Sequence, residues 1–253
     1  MNSFVVNCVL LDVEGTTSSV SYVYDILFPF ARQALLPYLQ VHWREPATVE
    51  AIDRLACDLG YSNGADWLHD LDDESSRRER VGHELMRLMD CDVKSTGLKQ
   101  LQGLVWAVGY GQGLLKSHVY NDVAPAFERW QRAGIDMRIY SSGSIAAQQV
   151  FFANTECGAL SKYLSGHYDT TTGPKKEAES YTKIAADMNL ACSEILFLSD
   201  VLAELNAAHS AGMQVALVIR PGNSPVPEHD FVAIENFDEL KLLKPAGTLP
   251  ASV

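Results

Sequence analysis

Nowhere in its 253 residues does this chain string together the roughly 18 consecutive apolar residues that a membrane-spanning helix requires. The N-terminal stretch has neither a positively charged segment nor a small-residue cleavage site, so no secretory leader is expected. Basic charge is scarce: 20 Lys and Arg stand against 32 Asp and Glu, a net charge of -12. A nucleic-acid binder or a membrane-surface binder needs a basic face, so neither partner is expected. An anionic small molecule is still admissible, because a small site can be locally positive, above all beside a bound cation. Cysteine pairs are lacking too. The five cysteines, Cys8, Cys57, Cys91, Cys157 and Cys192, are odd in number, widely spaced and without a C-x-x-C pair. That excludes a disulfide framework and a structural zinc site. Apolar neighbours around several of them predict buried thiols in a reducing cytoplasm. Internal repeats and low-complexity segments are absent as well.

What is present is an ordinary globular composition, 47% hydrophobic and 21% charged, long enough for one large domain or a core with an insertion. Four apolar runs bounded by turn residues read as buried strands: residues 4–11, 137–142, 194–200 and 215–222. Helical periodicity fills residues 123–133, 146–152, 177–188 and 202–211. Strands alternating with helices imply βαβ units and a parallel sheet. Residues 20–118 differ: they are rich in helix formers and carry charged stretches such as "DDESSRRER", which predicts a helical insertion. The last residues, "KPAGTLPASV", read as a frayed tail.

In an open parallel sheet, ligands bind outside the carboxyl ends of the strands. Here those ends are polar: "DVEGT" from Asp12, "SSGS" from Ser141, and Ser199-Asp200. Asp12 and Glu14 alternate with Val13, so both would face one side if the extended geometry continued. Clustered carboxylates are costly unless a cation neutralises them, and Asp12, Glu14 and Asp200 offer the oxygen ligands that suit magnesium. Taken singly, Asp200 reads equally as a helix N-cap and "SSGS" as a plain turn. Joint placement of three polar strand ends favours a site. "TTTGPKKEAES" adds Lys175 and Lys176 after a Gly-Pro break, able to counter phosphate charge or to sit in solvent as a surface pair.

The order D-x-E-G-T, S-S-G, a lysine and then S-D resembles the haloacid dehalogenase-like phosphatase superfamily. The blocks "LLDVEGTTSSVSYVYDILFPFA", "YSSGSIAAQQVFF", "GHYDTTTGPKKEAESY", "ILFLSDVLAELNAA" and "VWAVGYGQG" are similar, more closely, to the enolase-phosphatases (acireductone synthases) of methionine salvage. The resemblance implies a three-layer Rossmann-like α/β core, residues 1–20 and 119–253, with an inserted helical cap over 21–118 that closes over the strand edge. It implies Asp12 as the nucleophile that takes the phosphoryl group and Glu14 as the acid/base, where most of the superfamily has a second aspartate. Magnesium would be held by Asp12, Asp200 and either the main-chain carbonyl or the side chain of Glu14. Ser141 and Ser142 would bind the phosphate and Lys175 would stabilise it, with Lys176 as second choice. The implied substrate is a small phosphorylated diketone, acted on by a monomer.

Glu14 and His118 are candidates for the base that enolises such a substrate, with a hinge or packing role as the other reading of His118. Trp106 and Tyr110, one helical turn apart, could line an apolar pocket or simply pack. "GYGQG" lacks nucleotide-loop spacing and reads as a close helix contact or flexible segment. "RPGN", residues 220–223, reads as a structural turn. Three competing functions remain open: a phosphatase of another small metabolite without enolisation, a non-catalytic binding protein, and a dehalogenase. Intact Asp12, Glu14, Lys175 and Asp200 weigh against the second, and the acidic surroundings of Asp200 against the third.

Overall fold

The computed structural model describes residues 1–93 and 95–245. All of the expected frayed tail except Lys244 and Pro245 lies outside the described residues. The chain divides into two units, Met1–Val23 with Lys116–Val253, and Tyr24–Leu115. The first unit opens with β1 (Asn2–Val5), β2 (Cys8–Leu11) and the short α1 (Val20–Tyr22). The second holds α2 (Phe28–His42), α3 (Pro46–Asp58), α4 (Gly64–Trp67), α5 (Glu74–Asp90) and α6 (Thr96–Gly111). The first then resumes with α7 (Val123–Arg132), β3 (Asp136–Tyr140), α8 (Ile145–Ala153), β4 (Gly166–Tyr168) and α9 (Ala178–Asp187). It closes with β5 (Ile195–Ser199), α10 (Leu202–Ser210), β6 (Gln214–Val218), β7 (Ala233–Ile234) and β8 (Leu240–Leu243).

Six strands form a parallel sheet in the order β4-β3-β2-β5-β6-β7. Every residue of β2, "CVLL", is buried, as a central parallel strand covered on both faces must be. Cys8 and Leu10 join Phe197, Leu217, Tyr181, Ile184 and Leu205 in a core under α9 and α10. Val9 and Leu11 alternate to the opposite face, the side on which right-handed crossovers place the helices of the other half of the sheet. Since β2 lies between β3 and β5, the chain direction across the sheet reverses there, and a ligand crevice is expected at that switch point.

The expected strand over residues 4–11 is in fact two. Asn2–Val5 alternates between half-buried and exposed positions and pairs with β8 in a separate two-stranded sheet. Val6 and Asn7 then redirect the chain, with their amides donating to Leu243 O and Glu194 O at 2.8 Å each. Apolar character runs through the join, so only the pairing partners reveal it. The short β4, β7 and β8 escaped the sequence reading, β4 because three residues containing Gly166 and His167 carry no periodicity. The thiols are a second correction. Only Cys8 is buried; Cys57, Cys91 and Cys157 are exposed and Cys192 is half-buried, and all five are free. Cys91 caps the end of α5, where the chain turns at the surface.

The helical unit has its own core of Leu35, Leu39, Leu55, Leu85, Leu101 and Val105. The charged stretch read from the sequence begins α5, with Asp73 as N-cap accepting from Ser76 N–H at 2.9 Å. "GYGQG" lies at the end of α6. A Cβ on Gly109 would meet the Phe30 ring at 2.5 Å, so this glycine permits a close approach of α6 to α2.

Candidate active site

Asp12 is the first residue past β2, and its amide still donates to Leu198 O at 3.0 Å. Beyond it the extended geometry stops, so strand alternation does not place Asp12 and Glu14 together. The Val13 carbonyl accepts from the amides of Thr16, Thr17 and Ser18 at 3.3, 3.0 and 2.9 Å, winding residues 13–18 into a tight turn. Gly15 makes the turn feasible, with φ of +73°. It also lets the backbone meet Asp200, because a Cβ there would stand 2.3 Å from Asp200 Oδ2.

Lys175 is buried, and its Nζ lies 2.7 Å from Asp12 Oδ1 and 2.6 Å from Glu204 Oε2. Ser199 joins the same network, donating to Glu204 Oε2 at 3.0 Å and reaching Asp12 Oδ2 at 3.4 Å. The other Asp12 oxygen also accepts from Val13 N–H at 2.7 Å. Burial pulls the Lys175 ammonium down, but the charges of Asp12 and Glu204 outweigh it and leave the group raised. Asp200 is pushed up to about 7, first by burial and then by the charge of Asp12. Glu204 is raised by the same two causes.

One ammonium thus faces three carboxyl groups, Asp12, Glu204 and Asp200. The surplus negative charge is the observation that fits a divalent cation. Among the described residues, no three His, Cys, Asp or Glu side chains are grouped so as to hold a metal by themselves. An ion here would need main-chain, water or substrate oxygens besides carboxylates, and Asp12 and Asp200 are the acids at this edge able to contribute.

The lysine is held by its own backbone. Tyr140 Oη donates to Gly173 O at 2.8 Å, Ser180 Oγ to Pro174 O at 2.8 Å, and Tyr181 Oη to Lys175 O at 2.6 Å. Three consecutive carbonyls are pinned by hydroxyls from β3 and α9, which points Lys175 inward while Lys176 remains exposed. Ser141 is buried at the end of β3 and accepts from Gly143 N–H at 3.3 Å, whereas Ser142 is exposed. Helix α8 then starts at Ser144, whose Oγ accepts from Ala147 N–H at 3.3 Å. The N-cap reading of Asp200 does not hold, since the cap position of α10 is Val201 and no side chain caps the helix.

Two acids at the sheet edge were missed. Glu204 lies four residues after Asp200, on the first turn of α10, and that spacing was its only signal. Asp169 follows the unrecognised β4 and accepts from Ile145 N–H at 3.1 Å, fixing the start of α8. The remaining candidates are all engaged. His118 Nδ1 accepts from Ser19 N–H at 3.1 Å, which puts its proton on Nε2, and its ring lies against Tyr22 and Tyr120. In the helical unit, Trp106 Nε1 donates to Leu27 O at 2.9 Å and Tyr110 is buried.

Residues 6–212 match the family model described as haloacid dehalogenase-like hydrolase. Among curated proteins, the chain is 44% identical over 236 residues to a protein of Synechococcus elongatus named Enolase-phosphatase E1, covering 93% of this chain and 98% of that one. A Drosophila mojavensis protein of the same name is 41% identical over 239 residues, 93% of this chain and 95% of its own. Among solved structures, the UTR4 protein of Saccharomyces cerevisiae aligns with a TM-score of 0.75 and 32% identity, covering 93% of this chain and all (100%) of that one.

Proposed function

Because the chain belongs to the haloacid dehalogenase-like hydrolases and, among them, to the enolase-phosphatases of methionine salvage, we propose that its buried Asp12–Lys175 pair dephosphorylates 2,3-diketo-5-methylthiopentyl-1-phosphate. Enolisation accompanies the hydrolysis and gives the acireductone 1,2-dihydroxy-3-keto-5-methylthiopentene. The α/β unit is the catalytic core and the helical unit its inserted cap domain, in a monomeric cytoplasmic enzyme.

Asp12 Oδ2 attacks phosphorus, since Oδ1 is occupied by Lys175 and Val13 N–H. The bond from phosphorus to the substrate oxygen breaks as the aspartyl phosphate forms, and Glu14 delivers the proton that the leaving oxygen needs. Glu14 then takes a proton from the water that hydrolyses the acyl phosphate. Lys175 offsets charge on the transferring group, and Ser141 and Ser142 with the amides of their loop bind its oxygens. Magnesium, held by Asp12, Asp200 and Glu14, would supply the positive charge that lets a phosphate approach carboxylates and would polarise the neighbouring carbonyl for enolisation. Coordination through the main-chain carbonyl of Glu14 would leave its carboxyl for proton transfer, and among the described residues no three carboxylates are grouped to hold the ion alone.

The observation that carries this reading is the single buried ammonium shared between Asp12 and Glu204. Incubating the protein with the diketone phosphate and magnesium should release phosphate and produce the enol absorbance together, and D12N should abolish both while remaining folded. Phosphate release without enol would leave a phosphatase of another small metabolite.

A further inference from the structure

The turn after β6, "RPGN", has no part in the chemistry above, yet it grips the loop that carries it. Asn223 Nδ2 donates to Gly15 O at 2.9 Å and to Val218 O at 3.3 Å. Two carbonyls facing the same nitrogen fix the orientation of the amide, since its oxygen cannot face them. One residue along the loop, Thr16 O accepts from Arg220 Nε at 3.0 Å. The next carbonyl, Thr17 O, accepts from Tyr120 N–H at 3.1 Å. Three successive carbonyls of the turn that follows Asp12 and Glu14 are therefore held from outside it.

Arg220 is anchored far more firmly than an ordinary turn residue. It is 5% exposed and makes a two-pronged pair with Asp122, at 2.9 Å to Oδ1 and 2.8 Å to Oδ2. It also donates to Glu235 O at 3.0 Å, and its guanidinium lies 4.4 Å from the Tyr120 ring centre and 4.8 Å from that of Phe237. Asp122 Oδ2 accepts in addition from Phe237 N–H at 2.7 Å. A planar fork locked between two rings and a carboxylate is a fixed point, and its remaining Nε–H has one direction available. The turn itself closes with Asn223 N–H on Arg220 O at 3.1 Å.

We propose that Arg220 and Asn223 are positioning residues for the catalytic loop, setting where Glu14 presents its proton relative to Asp12. Gly15, whose carbonyl Asn223 holds, adjoins Glu14 and packs its Cα on Asp200. Releasing that carbonyl loosens the Gly15–Thr16 peptide, one residue past the acid, while leaving Asp12 anchored by β2. The Glu14–Gly15 peptide, whose carbonyl would hold the ion, keeps its own bond from Gly15 N–H to Ser18 O at 2.8 Å. The loss should therefore fall on proton delivery by the side chain and not on phosphoryl transfer in general. This rests on the function proposed above, in which Glu14 protonates the leaving oxygen.

The test uses two substrates that cannot enolise, phenyl phosphate and para-nitrophenyl phosphate. Phenolate leaves poorly without a proton, and para-nitrophenolate leaves well without one. In N223A, kcat/KM on phenyl phosphate should fall by roughly 10- to 100-fold, and on para-nitrophenyl phosphate by no more than about 3-fold. R220K, which retains the charge but not the fork, should show the same asymmetry, and N223S should lie between N223A and the parent. Thermal unfolding of N223A, which lies in a half-exposed turn, should stay close to the parent. Equal losses on the two substrates, or no loss on either, would overturn the proposal. A parent protein that hydrolyses no phosphate ester would instead overturn the function on which it rests.

Discussion

Among the described residues, Lys175 is the one cation paired with Asp12 and Glu204. Replacing it by methionine leaves Asp12 and Glu204 buried and uncompensated, which typically costs about 3–5 kcal/mol. K175M should accordingly show a much lower denaturant midpoint near neutral pH without magnesium, and no phosphatase activity. Asp200 makes a prediction of the opposite sign. Its carboxyl is pushed up to about 7 in the folded chain, well above the ordinary aspartate range, by burial and then by the charge of Asp12. The folded state thus binds the proton more tightly, and that contribution to stability is present at low pH and lost as pH rises through about 7. In the metal-free protein, D200N should gain on the parent as pH is raised from about 5 to about 8, then level off. Melting curves of both proteins across that range check it, and a constant gap would refute the assignment.

Among the elements, β2 matters most, because it carries Asp12 and has neighbours on both edges and both faces. Leu10 is fully buried beneath α9 and α10, so L10A should cost roughly 2–5 kcal/mol in equilibrium unfolding. Leu243, in β8 of the small sheet, is 41% exposed, and L243A should stay within roughly 1 kcal/mol of the parent. The contrast would confirm that residues 4–11, continuous in apolar character, serve two sheets of unequal weight. Helices α7 to α10 match four periodic stretches read from the sequence, with ends displaced by a residue or two. Element ends follow from capping and turn bonds, which periodicity does not encode. Strands β4 and β7 were invisible for a related reason, since two or three residues cannot display a period at all.

For the whole molecule, a net charge of -12 coexists with a site that needs positive charge. Lys175 supplies part of it, and a divalent cation would supply the rest locally without a basic surface. Magnesium binding only the native state should stabilise it by mass action, by about 2.7 kcal/mol at a hundredfold excess over Kd, and so raise the melting temperature. D200N should abolish most of that shift, and an unchanged shift would place the ion elsewhere. No helix among the described residues is long and apolar enough to cross a membrane.

By itself, the sequence determined that a buried strand runs into Asp12, that polar residues end several parallel strands, and that a helical segment interrupts the α/β pattern. Apolar continuity and periodicity are local properties, and neighbouring residues impose them wherever the rest of the chain goes. Only the tertiary structure buried Lys175 and left Lys176 exposed, brought Glu204 to the ammonium, ended the extended geometry at Leu11, and laid Arg220 and Asn223 on the carbonyls of the turn after Asp12. Those choices join groups about 30 to 200 residues apart, where the partner is selected by sheet order and by which buried charges and donors must be satisfied together.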